Sequence, residues 1–345
     1  MNFRAMIKEK LTQIIQGLTV DVSTNVEEWQ SVLNQCKVVP STCYLLSSTQ
    51  YYVAYYLKNN AINFSLVLHL DKQAVGIMPL MIHQNERFKW VLSSNGVEIV
   101  EPIFIPTLAP KVKKRLESQL ARVIFALSSV LSIVRCQFVN MEYDRVTSWY
   151  LMWANKASEV FSTHHLLVDL SLPLKDIRLK FRKSYRSLVN KDLRGWRVEV
   201  HEQVSDETFE QFRLLHQEVV GGITRSIESW NEQRNQIDTS ESFLVTVSDE
   251  NESLVGAGLF VCSPYQGTYS VGAYKRELFD KPIGHPIQLK AIETLKKKGV
   301  LWYEIGQKHL KVDKGAATEK ELSISQFKEG FSTHVIARQH LIVQL

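Results

Sequence analysis

The spacing of apolar positions changes twice between residues 254 and 306. Leu254 to Val261 and Tyr269 to Tyr274 are dense in valine, aromatic and small residues, and Ser263-Pro264-Tyr265-Gln266-Gly267 between them has turn composition. Two paired strands are predicted. Beyond Gly284 the apolar residues Ile287, Ala291, Ile292 and Leu295 fall on one helical face, Lys296-Lys297-Lys298 put cations on the last turn, and Gly299 supplies a stop. Leu301 to Ile305 reads as the strand that follows.

An earlier stretch carries the same order. Phe64 to Leu80 lines up with Phe243 to Leu259, which sets Gly76 and Gly256 180 positions apart. In the first half the strand, long helix and strand that follow are Trp90 to Leu92, Lys111 to Leu131 and Val134 to Met141. A divergent repeat of one α/β fold accounts for this register. A chain of 345 residues is also too long for one compact core, so two domains are expected, residues 1–170 and 171–345.

The remaining pattern fills in helices at Asn25 to Asn34, from Pro40-Ser41-Thr42 through the aromatic group at Tyr51 and Tyr52, from Ser205-Asp206-Glu207 to Val219, and at Ile227 to Ile237. Trp196 to His201 and His334 to Val343 read as strands, Gln307 to Thr318 as a loop, and Ile324 to Phe331 as a short helix. Met1 to Val20 is amphipathic with lysines and has no apolar core of a secretory signal. Val123 to Val134 is too short to span a bilayer and is interrupted by serines. A cytoplasmic protein is expected. Cys36, Cys43, Cys136 and Cys262 have neither metal-ligand nor redox spacing, so no metal is expected.

Charge changes the picture in one place. Lys175 to Arg197 holds nine cations against Asp176 and Asp192, a net of plus seven in a chain whose total is plus five, so the rest sums to minus two. Ile177, Phe181, Tyr185 and Leu188 make an apolar helical stripe with Arg178, Arg182 and Arg186 beside it. Three readings stay open for this segment: a row of guanidiniums gripping phosphate, a solvated helix face, or a nucleic-acid footprint. The sequence pI of about 8.8 is modest for duplex binding.

A phosphate also suits the start of the helix after Gly284. First-turn N–H groups have no internal partner, the dipole adds positive charge, and glycine leaves room for approach. Lys275 and Arg276 end the preceding strand, and His285 and Pro286 open the helix. At Gly284 an ordinary crossover loop is the alternative; in the first half, Pro106-Thr107-Leu108-Ala109-Pro110 offers no such glycine, and Lys111, Lys113, Lys114 and Arg115 opening its helix are either an anion-facing patch or a solvated face.

Tyr269-x-x-Gly272-Ala273, Pro282-Ile283-Gly284, the helix ending at Gly299, Tyr303-Glu304-Ile305-Gly306 and Phe327-Lys328 together resemble the C-terminal half of the FemAB-like N-acyltransferases, double-domain members of the GNAT superfamily. The resemblance runs from about Leu174 to Phe331. It implies an α/β fold of two tandem GNAT-like domains joined by a basic helix, the first with a degenerate donor site. It further implies transfer of an acyl group from a thioester or aminoacyl ester to an amine. Coenzyme A would be held by Lys275, Arg276, Gly284 and His285, and the acceptor by Asn95, Arg182, Lys183, Arg186 and Tyr274.

Two residues are candidates for the base. Glu304 shares a strand face with Trp302, and a carboxylate beside an indole can have a raised pKa. His216 has an ordinary pKa near working pH. For each, a purely structural role is an equal alternative. The relatives that use aminoacyl-tRNA carry a long coiled-coil insertion, and only Ile227 to Ile237 stands in that place. The expected activity is therefore N-acylation of a nucleotide-linked aminodeoxysugar by acyl-CoA. FemX-like transfer to a peptidoglycan precursor and a non-catalytic nucleic-acid-binding scaffold are the alternatives.

Overall fold

The computed structural model describes residues 20–22, 26–36, 41–189, 196–311, 313 and 317–345. The predicted amphipathic segment up to residue 19, the cap Thr24, Pro40, and the basic residues Lys191 and Arg194 lie outside them. The chain forms two compact units: Met1–Ser162 with Arg338–Leu345, and Thr163–Ala337. The units divide at 162/163 where 170/171 is expected, and the last eight residues belong with the first unit.

The first unit contains β1 (Val20–Val22), α1 (Val26–Gln35), α2 (Leu46–Tyr55), β2 (Ile62–Asn63), β3 (Leu66–Leu70), β4 (Gln73–Met78), β5 (Met81–Gln84), β6 (Trp90–Ser93), β7 (Ile103–Phe104), α3 (Pro110–Leu131), β8 (Arg135–Val139), α4 (Ser148–Ala154) and the start of β9 (Ala157–Asp169). Strands β1, β3, β4 and β7 form one sheet and β2, β5 and β6 a second, while β8 pairs antiparallel with residues 340–344 of the chain's last strand. The long amphipathic α3 contributes Leu116, Leu120, Val123, Ile124 and Leu127 to the core, at the three- and four-residue spacing that a helix needs to bury one stripe.

The second unit continues β9 and adds α5 (Leu174–Lys180), α6 (Tyr185–Leu188), β10 (Arg197–His201), α7 (Asp206–Val220), α8 (Ile227–Asp238), β11 (Ser242–Ser248), β12 (Leu254–Cys262), β13 (Gln266–Tyr274), α9 (Gly284–Lys297), β14 (Trp302–Lys308), α10 (Glu319–Glu329) and the start of β15 (His334–Gln344). Its sheet has the order β10-β11-β12-β13-β14-β9, antiparallel except between β13 and β14. Period-two alternation gives the sheet two apolar faces. Phe243, Val245 and Val247 of β11 pack with Ile287, Ile292 and Leu295 of α9, whereas Leu244, Leu259 and Val271 pack with Phe209, Phe212 and Trp230 of α7 and α8. Ile287, Ile292 and Leu295 are fully buried, and each stabilises the unit by about 1.5–3 kcal/mol.

The repeated β-hairpins stand at β3–β4 and β11–β12. Other elements depart from expectation. β14 runs on to Lys308, into the segment read as a loop. α10 starts at Glu319, earlier than Ile324, because Thr318 and Glu321 form a reciprocal capping box. β9 has no counterpart in the sequence reading. The basic segment is not one helix: α5 ends at Phe181, whose backbone is extended, and α6 is a separate single turn. Arg178, Arg182 and Arg186 therefore do not line up along one helix.

Candidate active site in the second unit

β13 and β14 begin as neighbours and then part. Their parallel ladder has three pairs, Gln266 with Trp302, Gly267 with Tyr303 and Thr268 with Glu304. From Tyr269 and Ile305 onward both strands continue without pairing to each other. Each strand has an irregularity nearby. On β13 the register to β12 shifts between Val271 and Tyr269, which leaves Ser270 as the extra residue of a bulge. On β14 the register to β9 shifts between Glu304 and Gly306.

Lys328 of α10 fills the opening. Its Nζ lies 5.4 Å from the centre of the Tyr269 ring on β13, and on the β14 side a Cβ at Gly306 would fall 2.6 Å from the same nitrogen. Burial pushes the Lys328 ammonium below its ordinary pKa, and nearby Glu304 opposes that shift. On the β13 wall the Tyr269 and Tyr274 hydroxyls meet at 2.6 Å, directly over Gly272, where a Cβ would be 1.9 Å from the Tyr269 oxygen. Burial drives both phenols up, Tyr274 to about 12, so they are neutral hydrogen-bonding groups.

At the closed end of the opening a polar row crosses three strands. Gln266 Nε2 donates to Glu304 Oε2 at 2.6 Å, and His165 Nδ1 lies 2.6 Å from Glu304 Oε1. Thr163 Oγ1 lies 2.9 Å from His165 Nε2. In the tautomer that fits this chain, His165 donates from Nδ1 to the carboxylate and accepts at Nε2 from the threonine hydroxyl. Strand geometry accounts for the row. Leu167 stands opposite Glu304, so alternate β9 residues Thr163 and His165 share that face, and Thr268 opposite Glu304 brings Gln266 to it from β13. This is the face that carries α7 and α8, away from α9.

The expected base Glu304 is thus at the centre, but both of its oxygens are engaged, so it acts on its surroundings through His165. His216 is elsewhere in the unit. It is buried on α7 with its ring 5.1 Å from Trp230, and its Nε2 is 3.3 Å from an Arg225 nitrogen. Burial, and then the Arg225 charge, take its pKa down to about 4, which removes it from the range useful to a base at neutral pH.

The expected donor residues are placed as follows. No side chain caps the first turn of α9, which suits an anion. The space over Gly284 is not open, however, because the Phe327 ring stands 2.9 Å from where a Cβ would be. His285 packs among Tyr185, Phe327 and Phe331; both its ring nitrogens are buried without partners, and burial lowers its pKa to about 4. That side chain is neutral and offers no charge to phosphate. Arg276 donates to the Val219 carbonyl at the end of α7, and Lys275 remains half-buried beside it.

Most expected acceptor residues are occupied by the fold. Asn95 is buried in the first unit and donates to the Cys43 carbonyl and Thr49 Oγ1 at 2.7 and 2.8 Å. Arg182 donates to the Gln326 carbonyl and lies over the Tyr185 ring, while Arg186 turns back onto the carbonyls of Leu179 and Phe181. Lys183 is exposed. Tyr274 alone of this set lines the opening. Sequence reasoning missed His165, Thr163 and Gln266, and it met Lys328 only inside the Phe327-Lys328 pair. Among the described residues, no cluster of His, Cys, Asp and Glu could hold a metal ion, and no helix is long and apolar enough to cross a membrane.

No family model matches the chain, and no curated protein does. Solved structures do. FemX is similar at 13% identity with a TM-score of 0.62, covering 88% of this chain and 91% of its own. L-PGS from Bacillus licheniformis is similar at 12% identity and a TM-score of 0.56, covering 93% and 92%. A tandem GNAT protein from the clavulanic acid biosynthesis pathway is similar at 11% identity and a TM-score of 0.51, covering 94% and 98%. At these identities the likeness establishes the architecture, and the chain has a mixed α/β fold of the tandem GNAT-like type.

Proposed function

We propose that this protein is an N-acyltransferase that moves an acyl group from acyl-CoA to a primary amine at the opening between β13 and β14. The observation that carries this reading is the position of Lys328, a half-buried cation between two separated parallel strands and near the engaged carboxylate of Glu304. Acyl transfer to an amine needs a slot for an extended thioester, a donor for the developing oxyanion and an acceptor for the amine's proton. The unpaired strand edges supply the slot, Lys328 Nζ the oxyanion donor, and the His165–Glu304 pair the proton acceptor. The uncapped first turn of α9 is the place for the anionic end of the donor.

The acceptor we infer is the amine of a nucleotide-linked aminodeoxysugar of the kind used in bacterial surface polysaccharides. The likeness in fold to FemX and L-PGS favours a second reading, aminoacyl transfer from charged tRNA to a peptidoglycan precursor or similar amine. Against it stands α8, a single helix of 12 residues where tRNA-using relatives are expected to carry a long helical pair. The deciding experiment presents acetyl-CoA or charged tRNA with a dTDP-amino-dideoxyhexose and with a peptidoglycan precursor. Thiol release that depends on the amino sugar supports the first reading; transfer from charged tRNA alone replaces it with the second.

A further inference from the structure

A cavity of about 550 Å³ lies wholly within the first unit, a size inside the ~300–1,000 Å³ range of small-molecule sites. It is lined by the edges of two sheets. β6 is the outer strand of the sheet formed with β2 and β5, and β8 is the outer strand beside residues 340–344. Trp90–Ser93 of β6 line the cavity together with residues 132–135 and Gln137. Strand alternation selects the β8 side chains: Cys136 and Phe138 go to the core, so Arg135 and Gln137 face the cavity.

Three chemistries meet in this lining. Tyr52, Tyr56 and His83 make a row of nearly parallel rings, with centroids 6.3 Å apart at 22° and then 4.4 Å apart at 14°. Tyr56 and His83 line the cavity, as does the Trp90 indole. Burial lowers the His83 pKa, against the contact of Nδ1 with the Gln84 carbonyl, so at neutral pH the imidazole is an uncharged flat ring. Two cations join the rings. Lys89 precedes β6 and Arg135 opens β8; both are exposed, and neither has an ion-pair partner among the described residues. The Glu98 carboxylate in the lining lies 3.3 Å from His340 Nδ1, which leaves Lys89 and Arg135 as the open charge. The third element is Ser93 Oγ, buried with no hydrogen-bond partner among the described residues. A ligand that bonds this hydroxyl removes the cost of leaving it unsatisfied.

We propose that this cavity is a nucleotide-binding site, in which the base extends the row of rings at His83 and the phosphate is drawn to Lys89 and Arg135. A flat ring without an anion leaves the cations unmatched, and an anion without a ring leaves the aromatic row unmatched. Ser93 Oγ and the Gln137 amide supply hydrogen bonds to the base edge or the ribose. The inference is independent of the acyl-transfer reading, since every residue in it belongs to the first unit.

Isothermal titration of the full chain with UMP and with AMP tests it, using wild type, Lys89→Glu, Arg135→Glu and, in the second unit, Lys328→Met. Saturable binding of at least one nucleotide is expected, with uridine or adenosine and ribose 5-phosphate each weaker by about tenfold or more. Each charge reversal should weaken the nucleotide by about tenfold or more while keeping Tm, because both side chains are exposed. Lys328→Met should leave it unchanged. UDP and UDP-N-acetylglucosamine separate the sources: tighter binding of the second names a nucleotide-linked sugar, and equal binding names the free nucleotide. No saturable binding of either UMP or AMP overturns the site. Binding that both charge reversals leave intact overturns it as well, and if Lys328→Met abolishes that binding, the nucleotide belongs to the second unit.

Discussion

Gly306 leaves the space that the Lys328 ammonium occupies. Its φ of +146° lies in a region that side chains rarely adopt, and a Cβ there would fall 2.6 Å from Nζ. A substitution at one residue is therefore felt at the other. Gly306→Ala should push Lys328 out of the opening, and Lys328→Met should remove its charge with little change in volume. Both should lower kcat by a factor of about 100–1000, the usual effect of losing one oxyanion donor. Steady-state kinetics with thermal unfolding checks this. Lys328→Met should keep its Tm, while Gly306→Ala should lose some.

Glu304 is expected to act through its partners. Glu304→Gln preserves shape but replaces a charged acceptor facing His165 Nδ1 and Gln266 Nε2. With an amide nitrogen turned toward either donor, stability should fall by about 1–3 kcal/mol and kcat by a larger factor than KM. A pH–rate profile tests the assignment, since loss of the carboxylate should move the imidazole limb to lower pH.

Two histidines outside the polar row make stability depend on acidity. His216 and His285 both have folded pKa values of about 4 against an ordinary 6.5. Between these values the unfolded chain binds protons that the folded chain refuses, so stability is full above pH 6.5 and falls as pH drops toward 4. For His216, which is buried but keeps some contact with solvent, the loss is at most on the order of 3 kcal/mol. Urea midpoints measured over roughly pH 7.5 to 4.5 should fall less steeply in His216→Phe than in wild type.

Asn95 tests whether the first unit's turn is structural. With its amide on the Cys43 carbonyl and Thr49, Asn95→Ala should cost about 1–3 kcal/mol of stability and leave KM for the acceptor unchanged. Gly96→Ala should be worse, because the residue has φ +83° and a Cβ would sit 2.2 Å from the Tyr52 ring. A raised KM with unchanged Tm in Asn95→Ala would restore a binding role.

The tandem α/β architecture was legible because repeated hairpins and a helix at Ile287, Ile292 and Leu295 are written in short-range periodicity. The site was legible only in part. Glu304 stood out as a carboxylate near a strand end, but its partners Gln266 and His165 are 38 and 139 residues away in the chain. β9 escaped notice because Phe161, Thr163 and His165 share a face without the valine density that marks a strand. The basic segment misled for a related reason. Its helical period at Ile177, Phe181 and Tyr185 is real as burial, yet the chain breaks at Phe181, and the Arg186 guanidinium binds the carbonyls of Leu179 and Phe181.

Residues 338–345 complete the first unit, with His340 to Gln344 zipped along β8. In order of synthesis the whole of residues 163–337 emerges before that last edge is available. The nested unit therefore has its strands while its host is still missing one, and maturation of the host waits on the synthesis of residues 338–345.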